Sequence, residues 1–214
     1  MNVTIIGAGN MGMGIGARMA AGGHNVTFVD QSPEAAQRAA ITIMSSAKKG
    51  ARAGSASLGD VELGDVVVLA VWYGTNITLV KELGTRLSGK VVVDIANPLN
   101  QTYDGLATAA DSSSAEDVAK AAAAGVSVVK AFNTTFAGTL MAGQVNGQQL
   151  DVFLAGDDAD AKTKVAQLVK DGGMRPIDTG PLSRARQIEG MQLLHIGAQS
   201  ELGTNWGSTI KILG

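Results

Sequence analysis

The chain contains no cysteine, so disulfides, thiolate catalysis and cysteine-bound metals are excluded. Histidine is almost as scarce. Only His24 and His195 can supply an imidazole, and neither sits in a metal-ligand spacing. No apolar run is long enough to span a bilayer, and a strand pattern begins at once, leaving no room for a signal peptide. The expectation is a soluble, cytoplasmic protein. Charge of either sign is also in short supply: the net of −2 gives no basis for a nucleic-acid or membrane-surface partner. Aromatic residues are 4% of the 214, although 45% are hydrophobic. That shortage, beside abundant Ala, Gly and Val, suits helices packed closely on a parallel sheet. The length suits one α/β domain with a small extension, or two compact lobes.

What is present is concentrated at the start. Val3 to Ile6 is a short β-branched run that reads as a buried strand. It breaks into Gly7-Ala8-Gly9-Asn10-Met11-Gly12, followed by a helical stretch ending at Gly22-Gly23 and a second strand, Val26 to Val29, closing on Asp30. A lone GxGxxG is weak, but strand, loop, helix, strand and terminal acid together describe a dinucleotide grip. Gly7 permits the tight turn, Gly9 lets backbone approach a pyrophosphate, and Gly12 lets the helix lie close to the strand. The helix N-terminus offers free N–H groups to the phosphates, and Asp30 falls where a carboxylate can bond ribose hydroxyls. Gly14 and Gly16 add to this, because each mid-helix glycine costs about 0.5–1 kcal/mol relative to alanine. Close packing against the strand or the cofactor is the expected reason to carry them.

Further along, Ser32-Pro33-Glu34 starts a helix to about Ala47. Lys48, Lys49 and Arg52 follow it as solvated cations near its C-terminus, with a reach to a 2′-phosphate as the alternative. Gly54 to Gly64 is poorly patterned, and no third strand is placed there. Asp65 to Val71 is a central strand ending in Trp72-Tyr73-Gly74, with Thr75 as cap of a helix to about Leu87. Lys90 to Ile95 is the next strand, ending in Ala96-Asn97-Pro98. Asn100 to Ser113 is a polar loop suited to covering a site. Ser114 caps a helix to Ala124, and Val126 to Ala131 is a strand ending in Phe132-Asn133-Thr134. Asn146-Gly147 marks a turn before a strand at Leu150 to Ala155, Asp157-Asp158 starts a helix through Asp171, and Met174 to Asp178 adds a strand. Ser183 to Ser200 carries Ile188, Met191, Leu194, His195 and Ala198 along one helical face, as core or subunit contact.

This alternation predicts a Rossmann-type α/β fold: a doubly wound, mostly parallel sheet with a small C-terminal helical extension. The expected division is a dinucleotide-binding domain over 1–180 and a helical part over 181–214 that serves as a dimer contact. Parallel strands end on one edge, where ligands bind. That edge gathers Gly7 to Gly12 and Asp30 for adenosine and pyrophosphate. It brings Val71, Trp72, Tyr73, Asn97 and Asn133 around the nicotinamide end.

The segments IIGAGNMG, VVVLAVWYG, VVVDIANPLN and VVKAFNTTFAGTL, with IEGMQLL and GTNWG in the tail, resemble those of the coenzyme F-420-dependent NADP oxidoreductase family. The resemblance implies a compact, commonly dimeric reductase that moves hydride between NAD(P)H and a small-molecule acceptor, the deazaflavin coenzyme F-420 among them. It also implies cofactor contacts at Gly9-Asn10-Met11-Gly12, at Val71-Trp72-Tyr73, at Asn97 and over Ala131 to Asn133. Members that use NADP tend to carry Ser, Thr and Arg after the second strand. Here Asp30-Gln31-Ser32 stands instead, which favours NAD(H). The chain also resembles the cytosolic part of membrane ferric reductases.

Two other functions compete: a non-catalytic module that senses the redox state of NAD(P), and a hydroxy-acid or carbonyl reductase. The latter expects a larger second domain and a Lys, His or Tyr acid, for which His195, Tyr73 and Lys130 are the candidates. His195 on an apolar helical face reads better as a structural histidine. A second cavity facing the nicotinamide would separate an enzyme from a sensor.

Overall fold

The computed structural model describes residues 1–213. Its elements are β1 (Asn2–Ile6), α1 (Asn10–Ala21), β2 (Asn25–Val29), α2 (Pro33–Ile43), β3 (Ala53–Ser55), β4 (Val66–Leu69), α3 (Tyr73–Leu83), β5 (Val91–Asp94), α4 (Ser114–Ala121), β6 (Ser127–Lys130), α5 (Ala137–Ala142), the hairpin β7 (Gln144–Val145) and β8 (Gln148–Gln149), β9 (Asp151–Gly156), α6 (Ala159–Asp171), β10 (Arg175–Asp178), α7 (Ala185–Gly197) and α8 (Gln199–Leu202). Strands β3-β2-β1-β4-β5-β6 pair in parallel in that order, the doubly wound arrangement in which chain order reverses beside β1. β9 then joins β6 antiparallel and β10 runs parallel to β9, so these two strands point their ends at the opposite edge.

The central strands VVVL and VVVD are buried at every position, as strands covered on both faces must be. One face packs on residues of α1, α2, α5 and α6, the other on α3 and α4 with Leu182 and Ala185. Gly14 and Gly16 serve this packing rather than a ligand. A Cβ at Gly14 would lie 2.8 Å from Leu140 Cβ, and one at Gly16 would lie 2.6 Å from the Phe28 ring. No helix among the described residues is long and apolar enough to cross a membrane.

Several boundaries differ from the sequence pattern. A third strand does exist, the short edge strand β3 against β2, too brief to show any alternation. α3 begins at Tyr73 with Trp72 at its N-cap, so Thr75 lies within the first turn. Ser113, rather than Ser114, caps α4 by accepting the Glu116 N–H, and the helix stops at Ala121. The inward face of α7 is also more polar than its apolar spacing suggests. Ile188 is buried with Glu189, Gln192 and His195, whereas Leu194 is 76% exposed. Each polar residue turned inward has a partner: Lys130 for Glu189, and Gln192 and Ser208 for His195.

Candidate active site

The loop after β1 separates what the protein needs from what it leaves open. Gly7 sits at φ +107°, and a Cβ there would be 2.4 Å from the Ala70 carbonyl oxygen. At Gly12 a Cβ would be 2.0 Å from the Gly7 carbonyl oxygen. Both glycines are therefore demanded by the fold. At Gly9 a Cβ would meet no atom within 4 Å. The space over Gly9 is empty of protein and borders the start of α1. That helix has no side-chain cap and no acid in its first turn. Among the described residues, no protein acceptor takes the N–H groups of Gly9, Asn10, Met11 or Gly12. Unpaired N–H groups and a helix N-terminus favour a bound anion, and a pyrophosphate fits this cradle.

Two cavities flank the loop, and Val71 and Trp72 line both. The first, about 430 Å³, is bordered by Gly7, Asp30, Gln31, Leu58, Thr75 and Glu82. Asp30 accepts the Ala8 N–H through Oδ2 at 2.8 Å and the Ser32 N–H through Oδ1 at 3.0 Å. Each oxygen keeps a lone pair for a further donor. Among the described residues, no Lys or Arg lines this cavity. The cations that follow α2 lie at the far edge of the sheet. The Lys48 side chain packs by Gly23, and Arg52 is bonded to Asn25 at the start of β2, with Lys49 between them in sequence. The length of β2, about 16 Å at 3.3 Å per residue, separates them from Asp30.

The second cavity, about 580 Å³, gathers Gly9, Asn10, Met11, Tyr73 and Asn97 from the predicted set. It adds Ala96, Leu99, Tyr103, Thr135, Phe136, Gln192, Ile196 and Trp206, which sequence reasoning did not single out. Phe136 packs against the His195 ring at 4.7 Å with a tilt of 34° and meets Trp206 edge-on at 5.2 Å. Tyr103 belongs to the 100–113 loop, which is well anchored. Leu99 and Leu106 form a β-bridge, and Arg186 of α7 donates to the Ala109 and Ser112 carbonyls. Ala131 and Asn133 do not line either cavity. The chain turns inward at Phe132 (φ +63°), leaving both buried. Asn133 instead backs Asn97: its Nδ2 donates to Asn97 Oδ1, and Asn97 Nδ2 donates to the Asn133 carbonyl, each at 2.9 Å.

Three of the proton-bearing groups near this cavity, those of Tyr73, His195 and Lys130, are already engaged. The Tyr73 hydroxyl donates to Asp117 Oδ2 at 2.6 Å, and burial with this bond pushes its pKa up to about 12. His195 lies 3.1 Å from Gln192 Oε1 through Nδ1 and 2.7 Å from Ser208 Oγ through Nε2. Burial lowers its pKa, which keeps it neutral near pH 7. Lys130 is fully buried against carboxylates and has no exposed atom to offer.

Comparison with known proteins accords with this geometry. Residues 2–98 match the family model described as NADP oxidoreductase coenzyme F420-dependent. An F420-dependent NADP reductase of Methanocaldococcus jannaschii is 29% identical over 208 residues, covering 92% of each chain. Metalloreductase STEAP3 of Rattus norvegicus is 29% identical over 89% of this chain, which spans only 36% of that protein's length. A solved structure from Arthrobacter sp. FB24, provisionally named an F420-dependent NADP reductase, is 29% identical, covers 99% of both chains and superposes with a TM-score of 0.81. With its unpaired helix start, its two cavities and these alignments, the chain is similar to the coenzyme F420-dependent NADP oxidoreductases, over residues 2–98 by the family model and nearly end to end by its relatives, and is an NAD(P)-linked oxidoreductase.

Proposed function

We propose that the hydride partner of the nicotinamide is a flat, conjugated acceptor of the deazaflavin type, coenzyme F420 included, and that no protein acid or base takes part. The observation that carries this is the pairing of an aromatic-lined cavity with the prior engagement of the three candidate proton donors, Tyr73, His195 and Lys130. Trp72, Tyr73, Tyr103, Phe136 and Trp206 border the Asn97 cavity, while the protons of Tyr73, His195 and Lys130 are committed elsewhere. A carbonyl substrate develops an alkoxide that must be protonated, whereas a deazaflavin accepts hydride at carbon.

The residues that would hold the dinucleotide follow from the fit. Gly9 to Gly12 present N–H groups to the pyrophosphate, with Gly7 and Gly12 shaping the turn. Asp30 accepts from ribose hydroxyls, with Gln31 at the rim. Val71 and Trp72 form the wall shared by the two halves with Tyr73 on the nicotinamide side, and Asn97, braced by Asn133 and the strand end at Ala131, faces the carboxamide. When bound, the nicotinamide supplies the hydride carrier; the chain's own work is orientation, which can lower a barrier by about 7–11 kcal/mol. A cavity with Asp30 and Glu82 and no cation supports NAD(H) as the better ligand, although the relatives are named for NADP. Residues 181–213 supply the C-terminal cover, and exposed Leu194 and Leu202 make that part the candidate contact of a homodimer, checked by light scattering. The reading as a whole is tested by single-turnover mixing of reduced dinucleotide-loaded protein with a deazaflavin and, separately, with small carbonyl compounds. Transfer to the carbonyls alone would overturn it.

A further inference from the structure

Behind the Asn97 cavity lies a buried ionic cluster that hydride transfer does not call upon. Lys130 Nζ donates to Asp94 Oδ2 at 2.8 Å, to Glu189 Oε1 at 2.7 Å and to the Ala96 carbonyl. An ammonium has three protons, and here all three are used. Asn76 Nδ2 donates to the other Asp94 oxygen at 2.8 Å, and the Ser114 N–H at the start of α4 donates to Glu189 at 3.0 Å. Lys130, Asp94 and Glu189 are all 0% exposed.

Stability is a poor account of this arrangement. Removing ions from water costs several kcal/mol each, and apolar replacements of like volume often do as well. A cluster of this kind does fix geometry, because its three acceptors admit one arrangement around one nitrogen. Those acceptors come from parts that meet again in the cavity. Ala96 lines it directly and precedes Asn97. Glu189 lies three and seven residues before Gln192 and Ile196 on α7, the spacing of a single helical face, and both of those line the opposite wall.

We propose that Lys130 is a positioning residue: by holding the Ala96 carbonyl and Glu189 on one ammonium, it sets the gap between the Ala96–Asn97 wall and α7, and so seats the nicotinamide half of the dinucleotide without touching it. The inference rests on the reading of this cleft as the dinucleotide site. Burial pushes the pKa of Glu189 up while the Lys130 ammonium pulls it down. Without Lys130 the acid takes up a proton, and the tie between the walls is lost.

The test uses the full chain and two ligands: ADP, which reports the Asp30 half alone, and whichever of NADH or NADPH the unmodified protein binds more tightly. Calorimetry with Lys130→Met is expected to leave ADP affinity within about twofold and to weaken the dinucleotide about tenfold or more. Glu189→Gln keeps an acceptor for Nζ but removes the charge, and should show the same split at about threefold. If Lys130→Met does not fold, the split in Glu189→Gln decides alone. Parallel losses for both ligands, or no loss for either, would overturn the proposal. An unmodified protein that binds neither ADP nor dinucleotide would instead overturn the reading of the cleft, and this inference with it.

Discussion

The two halves of the cleft are built in different ways. The Asp30 half takes its turn and its ribose-facing carboxylate from the first 31 residues, a contiguous stretch, and its remaining wall from Leu58 and the segment from Val71 to Glu82. The Asn97 half is assembled from the ends of β4 and β5, the segment after β6, α7 and the tail at Trp206. A ligand half shared by many chemistries can be held by a local motif. The half that must accommodate a particular second substrate draws on whatever the fold brings near, and the difference teaches where to look for each kind of specificity.

The comparison can be broken first at Gly9. Its φ of −71° and ψ of −175° suit any residue, and a Cβ there touches no protein atom. Gly9→Val should therefore melt like the unmodified protein while losing dinucleotide affinity about a hundredfold or more. Calorimetry with unchanged affinity would remove the pyrophosphate from this loop.

Asp30 sharpens the contrast next. A carboxylate about 4 Å from a 2′-phosphate charge repels it by roughly 4 kcal/mol at an effective dielectric of 20, before screening reduces the effect. Asp30→Asn should shift relative affinity toward NADPH by about tenfold. Tighter NADPH than NADH binding in the unmodified protein would count against the assignment of that half.

Smaller effects are expected from the other half. Tyr73→Phe and His195→Gln, measured in single turnover, should each slow hydride transfer by less than about threefold, since neither group is asked for a proton. A loss of a hundredfold with a new pH dependence would return a carbonyl substrate to consideration. The smallest effect is on stability. Burial holds the His195 pKa below its ordinary value, so the unfolded chain binds more protons as pH falls through about 6.5. Stability should decline from about pH 7.5 toward about pH 6, and His195→Gln should flatten part of that slope in thermal melts. His24, whose pKa burial also lowers, will leave a residual slope.

Legibility in the sequence follows the same division. The Gly7 to Gly12 loop, Asp30 and the strands VVVL and VVVD announce themselves because turn chemistry and burial on both faces act over a few residues. Trp206 and Gln192 give no comparable signal, since their position depends on where a tail and a helix come to rest. Lys130 reads in the sequence as a strand-end cation and candidate acid, and its ion pair with Glu189, 59 positions away, comes only from the fold. Asn133 shows the reverse: the sequence marks it, and the fold buries it behind Asn97. It ends a strand at the ligand edge, yet the inward turn at Phe132 assigns the exposed role to Asn97.

The antiparallel return of β9 and β10 also bears on the order in which the molecule acquires its parts. β1, α1 and β2 meet through short loops, whereas Trp206 reaches Phe136 only after the intervening chain has folded back along β9 and β10. Contacts between distant positions form late, because their closure entropy must be met before they yield anything. On refolding, the anion cradle should be complete while the aromatic wall is still open. ADP protection would then precede Trp206 burial in time, and a chain arrested between those events would grip a nucleotide without yet being able to receive an acceptor.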